Sequence, residues 1–440
     1  MSPPLPPLPQ PPGPGPVLAG FSGGLDSTVL LHLLAADPGQ RARGLRAIHV
    51  HHGLLAEADA WVDHCRQACA ALDVPLEVAR VSVDRDAGLG LEAAARQARY
   101  QAFESSLADG EILALAHHRD DQAETFLLRA LRGSGVDGLR AMPAWRGLGH
   151  GWLWRPLLEQ PRDALLGYAR AHGLRWVEDP GNAGGDQDRN YLRLHVLPRL
   201  RERWPHAGRT LARSATLAGE AAGLLAEGDA EALAGVITPD PRVIDLARLR
   251  QHPPERRARI LRLWLQRLDL PPLPGEGVAR IEADLLGGRD DAAPGFAWAG
   301  ALVRRWGGLL HASRPQAPLP GDYRARWDGD APLRLPTGDT LAIDPVVPGS
   351  ASAGSPWPVL VHGRRGGERI TLPGREHSHA LKQVLQDLGV PPWVRERLPL
   401  LSTMDGSLLA AGDLVVSASF DRHLRQAHAR LCWRRAPDPG

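Results

Sequence analysis

The sequence reads as an α/β protein in three parts: an N-terminal domain on a parallel sheet, a mostly helical middle domain and a small α+β C-terminal domain. Three observations predict this. Short apolar strand-like runs alternate with helix-like runs from residue 17 to about 132, the pattern of βαβ units. Long Ala/Leu/Arg-rich runs take over from about Gly208. A mixed pattern with one clear helix returns from Trp357. The expected boundaries are a Pro-rich tail over 1–16, domains over 17–207 and 208–314, a linker over 315–355 and a last domain over 356–436.

The elements follow in order. Residues 1–16 hold nine prolines and are expected to be extended. Pro16 to Phe21 is a buried strand, Ser22 to Ser27 a tight turn, and Thr28 to Ala36 a helix apolar nearly all round. Strands over Leu45–His51, Pro75–Val83 and Glu111–Ala116 alternate with helices over Ala56–Leu72, Leu91–Leu107 and Asp120–Arg132. Ligands of such sheets gather beyond the carboxyl ends of the strands. Ser22, His49, His51, His117 and Asp121 all fall there. Further on, Arg209–Leu233 and Val243–Leu268 read as long helices, Gly275–Leu286 as a shorter one and Ala297–His311 as a hairpin. Pro315–Ser355, rich in Pro, Gly and Ala, reads as a linker with a little strand. Ala380–Leu388 is the clear helix of the last domain, and Trp152, Trp154 and Trp176 are read as core.

Composition excludes several classes. At 43% apolar residues the 440-residue chain can build real cores, and at roughly 150 residues per domain it suggests about three. No uncharged apolar run reaches 18 residues, so no membrane span is expected. Cys65, Cys69 and Cys432 do not form a disulfide framework, and the first two, at helical spacing, read as buried free thiols. No cationic leader precedes an apolar stretch, and a cytoplasmic location is expected. The 52 basic and 50 acidic side chains nearly cancel, leaving +2. Lys382 is the single lysine, so the P-loop pattern, which needs lysine after its last glycine, is absent.

The segment Ser22-Gly23-Gly24-Leu25-Asp26-Ser27 carries the chemistry. Two glycines allow a tight bend and close approach to a ligand. The following helix offers free N–H groups and a positive dipole end, which suit phosphate. Ser22 and Ser27 add hydroxyls, and Asp26 suits a phosphate only with Mg²⁺ between them. The loop therefore reads as a magnesium-nucleotide site, in particular one for pyrophosphate; an ordinary turn with a capping Asp or Ser is the alternative.

SGGLDS resembles the loop of the PP-loop ATP pyrophosphatases, which adenylate carbonyl-type oxygens. Within them, a long series resembles the tRNA(Ile)-lysidine synthetase family. It runs through His49-Val-His-His-Gly-Leu with Trp61, Glu92-Ala-Ala-Ala-Arg96-Gln-Ala-Arg99-Tyr100, and Ala116-His117-His118-Arg-Asp120-Asp121-Gln-Ala-Glu124-Thr125. Arg155-Pro-Leu-Leu, Trp176-Val-Glu-Asp179-Pro-Gly-Asn182 and Arg189-Asn190-Tyr-Leu-Arg193 complete it. His51 and Gly181 depart from the family's usual Asn and Ser. Segments 381–382 and 393–401 extend the likeness to the last domain.

The resemblance implies an adenine nucleotide alpha hydrolase-like PP-loop ATPase domain, ATP and Mg²⁺ as cofactors, and two tRNA-binding domains after it. It implies ligation of L-lysine to C2 of the wobble cytidine of isoleucine tRNA with a CAU anticodon. ATP would be bound by Ser22, Gly23, Gly24, Leu25, Asp26 and Ser27, with Asp26 on the Mg²⁺ side. Asp121, Glu124 and Asp120 are candidates to receive the lysine amine, Asp121 first. His117 is expected to assist proton transfer or to order Asp121. Arg189, Asn190 and Arg193 are expected at the cytidine and its phosphate, and Arg96 and Arg99 at a phosphate or the lysine carboxylate. Asp26, Asp121, His117 and Arg193 form the expected catalytic set. A thiolase-like or synthetase-like relative, and a non-catalytic tRNA-binding protein, are the rival readings. The oligomeric state is not readable; a homodimer stays open.

Overall fold

The computed structural model describes residues 5–11, 13–53, 58–83, 91–178, 188–286, 294–346 and 358–436. The chain divides into two units, Met1–Ala226 and Glu227–Gly440.

The first unit opens with strand β1 (Val17–Gly20), helices α1 (Leu25–Ala36) and α2 (Pro38–Arg43), strand β2 (Leu45–His51) and helix α3 (Ala58–Ala71). It continues with β3 (Leu76–Arg80), α4 (Leu91–Ser106), β4 (Ile112–Ala114), α5 (Arg119–Leu131) and α6 (Val136–Leu139). A hairpin of β5 (Trp145–Leu148) and β6 (Gly151–Trp154), then α7 (Arg162–Ala171), close the sheet region. The strand order is β3-β2-β1-β4-β6-β5; all neighbours run parallel except β5 against β6. The chain therefore leaves β1 on one side to build β2 and β3, then returns to its other side with β4. The order reverses at the carboxyl ends of β1 and β4, the place where sheets of this kind form their ligand crevice. Val17, Leu18, Ile48, Ile112 and Leu113 are wholly buried, as fits strands covered on both faces.

The hairpin is the sheet's unforeseen part. Trp154 belongs to the core, but Trp152 is 48% exposed near the β5–β6 turn, contrary to its expected core position. Cys65 and Cys69 are buried free thiols, and burial pushes them up to about 12 and 11. Beyond 188 come α8 (Asp188–Tyr191), a π-helical turn (Leu192–Val196), α9 (Leu197–Arg203) and the long α10 (Ala207–Val236).

The second unit corrects three expectations. Val243–Leu268 is not one helix. It is strand β7 (Val243–Asp245), α11 (Leu246–Arg250) and α12 (Pro254–Arg267). Asp245 caps α11 through Arg248 N–H at 3.0 Å, and Pro253-Pro254 ends one helix and starts the next. After α13 (Gly277–Arg280), strands β8 (Gly295–Trp298), β9 (Ala301–Trp306) and β10 (Leu309–Ser313) join β7 in a four-stranded antiparallel sheet, where a single hairpin was expected.

The linker expected over 315–355 is largely part of the last core. It contributes β11 (Arg324–Trp327), β12 (Leu333–Arg334) and β13 (Thr340–Pro345). Leu319, Trp327, Leu335 and Leu341 are buried there; 347–357 lie outside the described residues. Next come β14 (Val359–His362), β15 (Arg369–Ile370), β16 (His379–Ala380), α14 (Leu381–Asp387) and α15 (Pro392–Arg397). Strands β17 (Leu400–Ser402), β18 (Leu408–Ala411) and β19 (Val415–Val416), helix α16 (Ala418–Gln426) and strand β20 (Ala429–Arg434) complete the chain. β13 pairs with β20 over six residue pairs. Among the described residues no helix is long and apolar enough to cross a membrane.

Asp339 anchors this last core. It is wholly buried and accepts from Arg397 Nη2 at 2.6 Å, Trp433 Nε1 at 3.2 Å and Ala436 N–H at 2.9 Å. Asp339→Ala leaves the Arg397 guanidinium buried without its partner. We predict a loss of about 3–5 kcal/mol in urea unfolding of this unit; a loss below about 1 kcal/mol would show that the network is not an anchor.

Candidate active site

The crevice at β1 and β4 gathers two contiguous segments. From β1 comes the Ser22–Ser27 loop. Gly23 has φ +83°, a conformation that favours glycine, and a Cβ there would meet Cys65 Sγ at 3.0 Å and His64 Cδ2 at 3.3 Å. Its carbonyl accepts from Val177 N–H at 2.9 Å. Ser22 Oγ and Ser27 Oγ are 3.0 Å apart, and the Ser27 and Thr28 hydroxyls both donate to Gly24 O, at 3.0 and 2.9 Å. Gly24 occupies the N-cap of α1 and supplies no side chain to it. The first turn of a buried helix is thus left for an outside acceptor. Leu25 turns its side chain into the core, so only its backbone can serve a ligand.

Asp26 stands in that first turn. Its Oδ1 is buried without a hydrogen-bond partner, and its Oδ2 lies 3.6 Å from His118 Nε2. A buried carboxylate oxygen without a donor suits a hard divalent cation, so Asp26 fits Mg²⁺.

From β4 comes His117-His118 and the start of α5. His118, 2% exposed, is the N-cap of α5: its Nδ1 accepts from Asp121 N–H at 3.4 Å, and Asp121 Oδ2 accepts from His118 N–H at 3.0 Å. Its Nε2 faces Asp26 Oδ2, and Asp121 Oδ2 at 3.5 Å. Burial works against a charged His118, but Asp26, Asp121 and Asp120 outweigh it and raise its pKa. His118 therefore joins the loop of β1 to the acid segment of β4. Sequence reasoning gave it no role, although its place immediately before a helix with Asp three residues on is a capping signal.

His117 is different. Arg155, 4% exposed, donates from Nε to His117 Nδ1 at 3.3 Å and from Nη1 to Pro143 O at 2.7 Å. That places the ring proton on Nε2. Burial, aided by Arg155, Arg189 and Arg99 against Asp121, lowers the His117 pKa to about 3. His117 is a neutral donor of fixed tautomer, with its one lone pair already engaged.

Asp121 and Glu124, 8% and 1% exposed, form the acid pair. Arg189 donates from Nε to Glu124 Oε2 at 2.8 Å and from Nη2 to Asp121 Oδ1 at 3.1 Å. Arg193 donates from Nε to Glu124 Oε1 at 2.7 Å and from Nη2 to Asp121 Oδ1 at 3.2 Å. One π-helical turn begins between them, a local geometry frequent at functional sites. Burial would raise Asp121, but His118, Arg189, His117 and a backbone N–H hold it below the usual carboxylate range. Burial likewise opposes the Arg193 charge, yet Glu124, Asp121 and Asp26 raise its pKa. Asn190, between the two arginines, is buried.

The expected site residues thus mostly converge, with three differences. Arg189 and Arg193 reach inward to the acid pair. Asp120 turns away, pairing with Arg201 and accepting from Arg162 N–H at 2.9 Å. Arg96 is exposed over the ring of Tyr100, 5.2 Å from its centroid, and Arg99 is half-buried. His49 is a satisfied buried residue, donating to Phe21 O at 2.9 Å with the Cys65 thiol 3.4 Å away. Asp179, Gly181 and Asn182 lie outside the described residues, and the Glu92 side chain is not described.

Comparison with known proteins agrees with this layout. A family model described as a PP-loop domain matches residues 8–200. A TilS substrate binding domain matches 244–311, and a TilS substrate C-terminal domain matches 359–433. A curated tRNA(Ile)-lysidine synthase of Xanthomonas axonopodis pv. citri is 53% identical over 97% of this chain and 95% of its own. One from Xylella fastidiosa is 51% identical over 97% of each chain. A crystal structure of a TilS C-terminal domain aligns with 26% of this chain and 98% of its own at 25% identity, with a TM-score of 0.21. With half its residues identical to those relatives from end to end, the chain belongs to the tRNA(Ile)-lysidine synthase family of PP-loop enzymes.

Proposed function

We propose that this enzyme ligates L-lysine to C2 of the wobble cytidine in the CAU anticodon of isoleucine tRNA, at the expense of ATP. The observation that carries the proposal is the crevice itself: an anion-ready loop with an unpartnered carboxylate oxygen, joined through His118 to a buried acid pair. The cytidine O2 attacks the α-phosphate of ATP and pyrophosphate leaves. The lysine ε-amine then attacks C2 of the adenylated base and AMP leaves. The lysidine formed pairs with A, so the tRNA reads AUA instead of AUG and accepts isoleucine instead of methionine. C2 is inaccessible in a stacked base, so the cytidine enters flipped out.

The residues divide the work. The β and γ phosphates take the backbone donors of Gly23, Gly24, Leu25 and Ser27 and the hydroxyls of Ser22 and Ser27. Asp26 Oδ1 would hold Mg²⁺, which when bound offsets the charge of the phosphates. Asp121 and Glu124 receive the lysine ammonium, displacing guanidinium hydrogen bonds from Arg189 and Arg193, and orient the amine as it loses its proton. The released guanidinia are then able to meet the cytidine phosphate bidentately. The Arg189–Glu124 and Arg193–Glu124 pairs keep the acid pair charge-balanced in the meantime. His117 acts as a fixed neutral donor that orders the site, and the ammonium proton passes to the Asp121–Glu124 carboxylates. The second unit holds the body of the tRNA.

Three outcomes test this. Labelled L-lysine should enter purified CAU-anticodon isoleucine tRNA with ATP and Mg²⁺, releasing AMP and pyrophosphate; ATP turnover without lysine incorporation would mean a different nucleophile or base. Asp26→Ala should slow adenylation on the order of 10²-fold, and near-normal turnover would remove it from the phosphate site. Because the folded pKa of His117 is far below its ordinary value, its ring should stay neutral at pH 5 in ¹⁵N NMR and its charging should not shape the pH–rate profile above pH 5. An imidazolium signal there would overturn the donor role.

A further inference from the structure

Beside the acid pair, on α4, α5 and the β5–β6 hairpin, arginines crowd around one tyrosine. The guanidinia of Arg96 and Arg146 lie 5.2 and 5.4 Å from the Tyr100 ring centroid, within cation–π range. Tyr100 is fixed from behind by Phe103, edge to face at 6.1 Å. Arg155 and Arg129 complete the group. The described hydrogen bonds of Arg129, Arg146 and Arg155 end on backbone carbonyls, the His117 ring and the Tyr100 phenol, and on no carboxylate. Burial works to raise the Tyr100 phenol, yet Arg96, Arg155, Arg146 and Arg99 outweigh it and hold it below its usual range. Burial also lowers Arg129, with Arg140 and Arg96 adding to it. Arg129 and Arg155 are partly desolvated beside the like charges of Arg96 and Arg146, a cost that a bound anion would recover.

Resting on the RNA reading above, we infer that this arginine cluster around Tyr100 is a second anion site, which grips the phosphodiester backbone of the RNA beside the flipped-out base. The ATP phosphates have their own loop at the end of β1. The cluster draws on other elements, Arg96 on α4, Arg146 on β5 and Arg129 on α5, the last about 12 Å of helix rise beyond Asp121. Arg129 thus lies away from the first turn of α5, the part that faces Asp26. Arg96 and Arg146 are exposed and available to phosphate oxygens. The ring of Tyr100 holds the two guanidinia in place, which lowers the entropy lost on binding. Arg155 ties the cluster to the reaction, because the same side chain fixes the His117 tautomer.

The test uses the full chain with Arg96→Gln and Arg146→Gln combined, and with Arg96→Lys and Arg146→Lys as the charge-keeping control. Binding of CAU-anticodon isoleucine tRNA is measured across a salt series, with KM for ATP alongside. The Gln pair should weaken tRNA binding and flatten the log K against log salt slope by about two, one per lost phosphate contact. The Lys pair should retain most of the slope, and KM for ATP should stay within about twofold of the parent. An unchanged slope overturns the site. So does a slope change matched by the Lys pair, or a shift confined to KM for ATP and pyrophosphate inhibition, which would assign the cluster to polyphosphate. Lysine incorporation by the parent chain, measured separately, tells a failure of this site from a failure of the ligase reading. With incorporation intact and the slope unchanged, only the arginine site falls.

Discussion

Everything at the site depends on where the strand order reverses. β1 and β4 are neighbours in the sheet but far apart in sequence, and each is followed by a helix with a working N-terminus. One helix start is left open by Gly24; the other is closed by the His118–Asp121 box. The two starts thereby acquire opposite characters. An open N-terminus attracts phosphate, while a capped one with acidic residues in its first turn displays carboxylates. His118 lies at the seam, within ion-pair reach of Asp26 and Asp121. No other part of the first unit need be functional for these two surfaces to face a common space.

The site's electrostatics are balanced within the chain. The acid pair is buried deeply enough that carboxylates alone would be costly, and Arg189 and Arg193 meet that cost with short charge-assisted bonds. On the other flank the balance is left undone, with arginines around Tyr100 facing carbonyls. Both halves rely on arginine. Its planar fork holds two donors in a fixed geometry toward Glu124 and Asp121, which the point charge of a lysine does not impose. A chain with one lysine can therefore still run a site built on cation–anion contacts.

Much of the first unit was legible because its signals are local. The strands and helices of residues 17–132 follow from short apolar runs and turns, and the segments of the candidate site are contiguous strings. What escaped was set by distance or by chemistry of the backbone. The β13–β20 pairing joins residues some ninety apart, so Thr340–Pro345 looked like linker until its partner was placed beside it. The helix expected over Val243–Leu268 ignored what Pro253-Pro254 does to a helix. At the site, the SGGLDS loop and the acid string were readable, but their pairings were not. That Arg189 and Arg193 turn to Glu124, that Asp120 turns away, and that Arg155 fixes His117 depend on side chains brought together by the fold.

The contact behind Gly23 ties two positions into one volume. The space that a side chain would take at Gly23 is filled by Cys65 from α3, so the Ser22–Ser27 loop rests directly on a sulfur atom. A larger residue at 65 pushes the loop outward, and a smaller one leaves it unsupported. Loop and helix must therefore change together, and the shape of the Ser22–Ser27 loop is written partly in a buried thiol on another element.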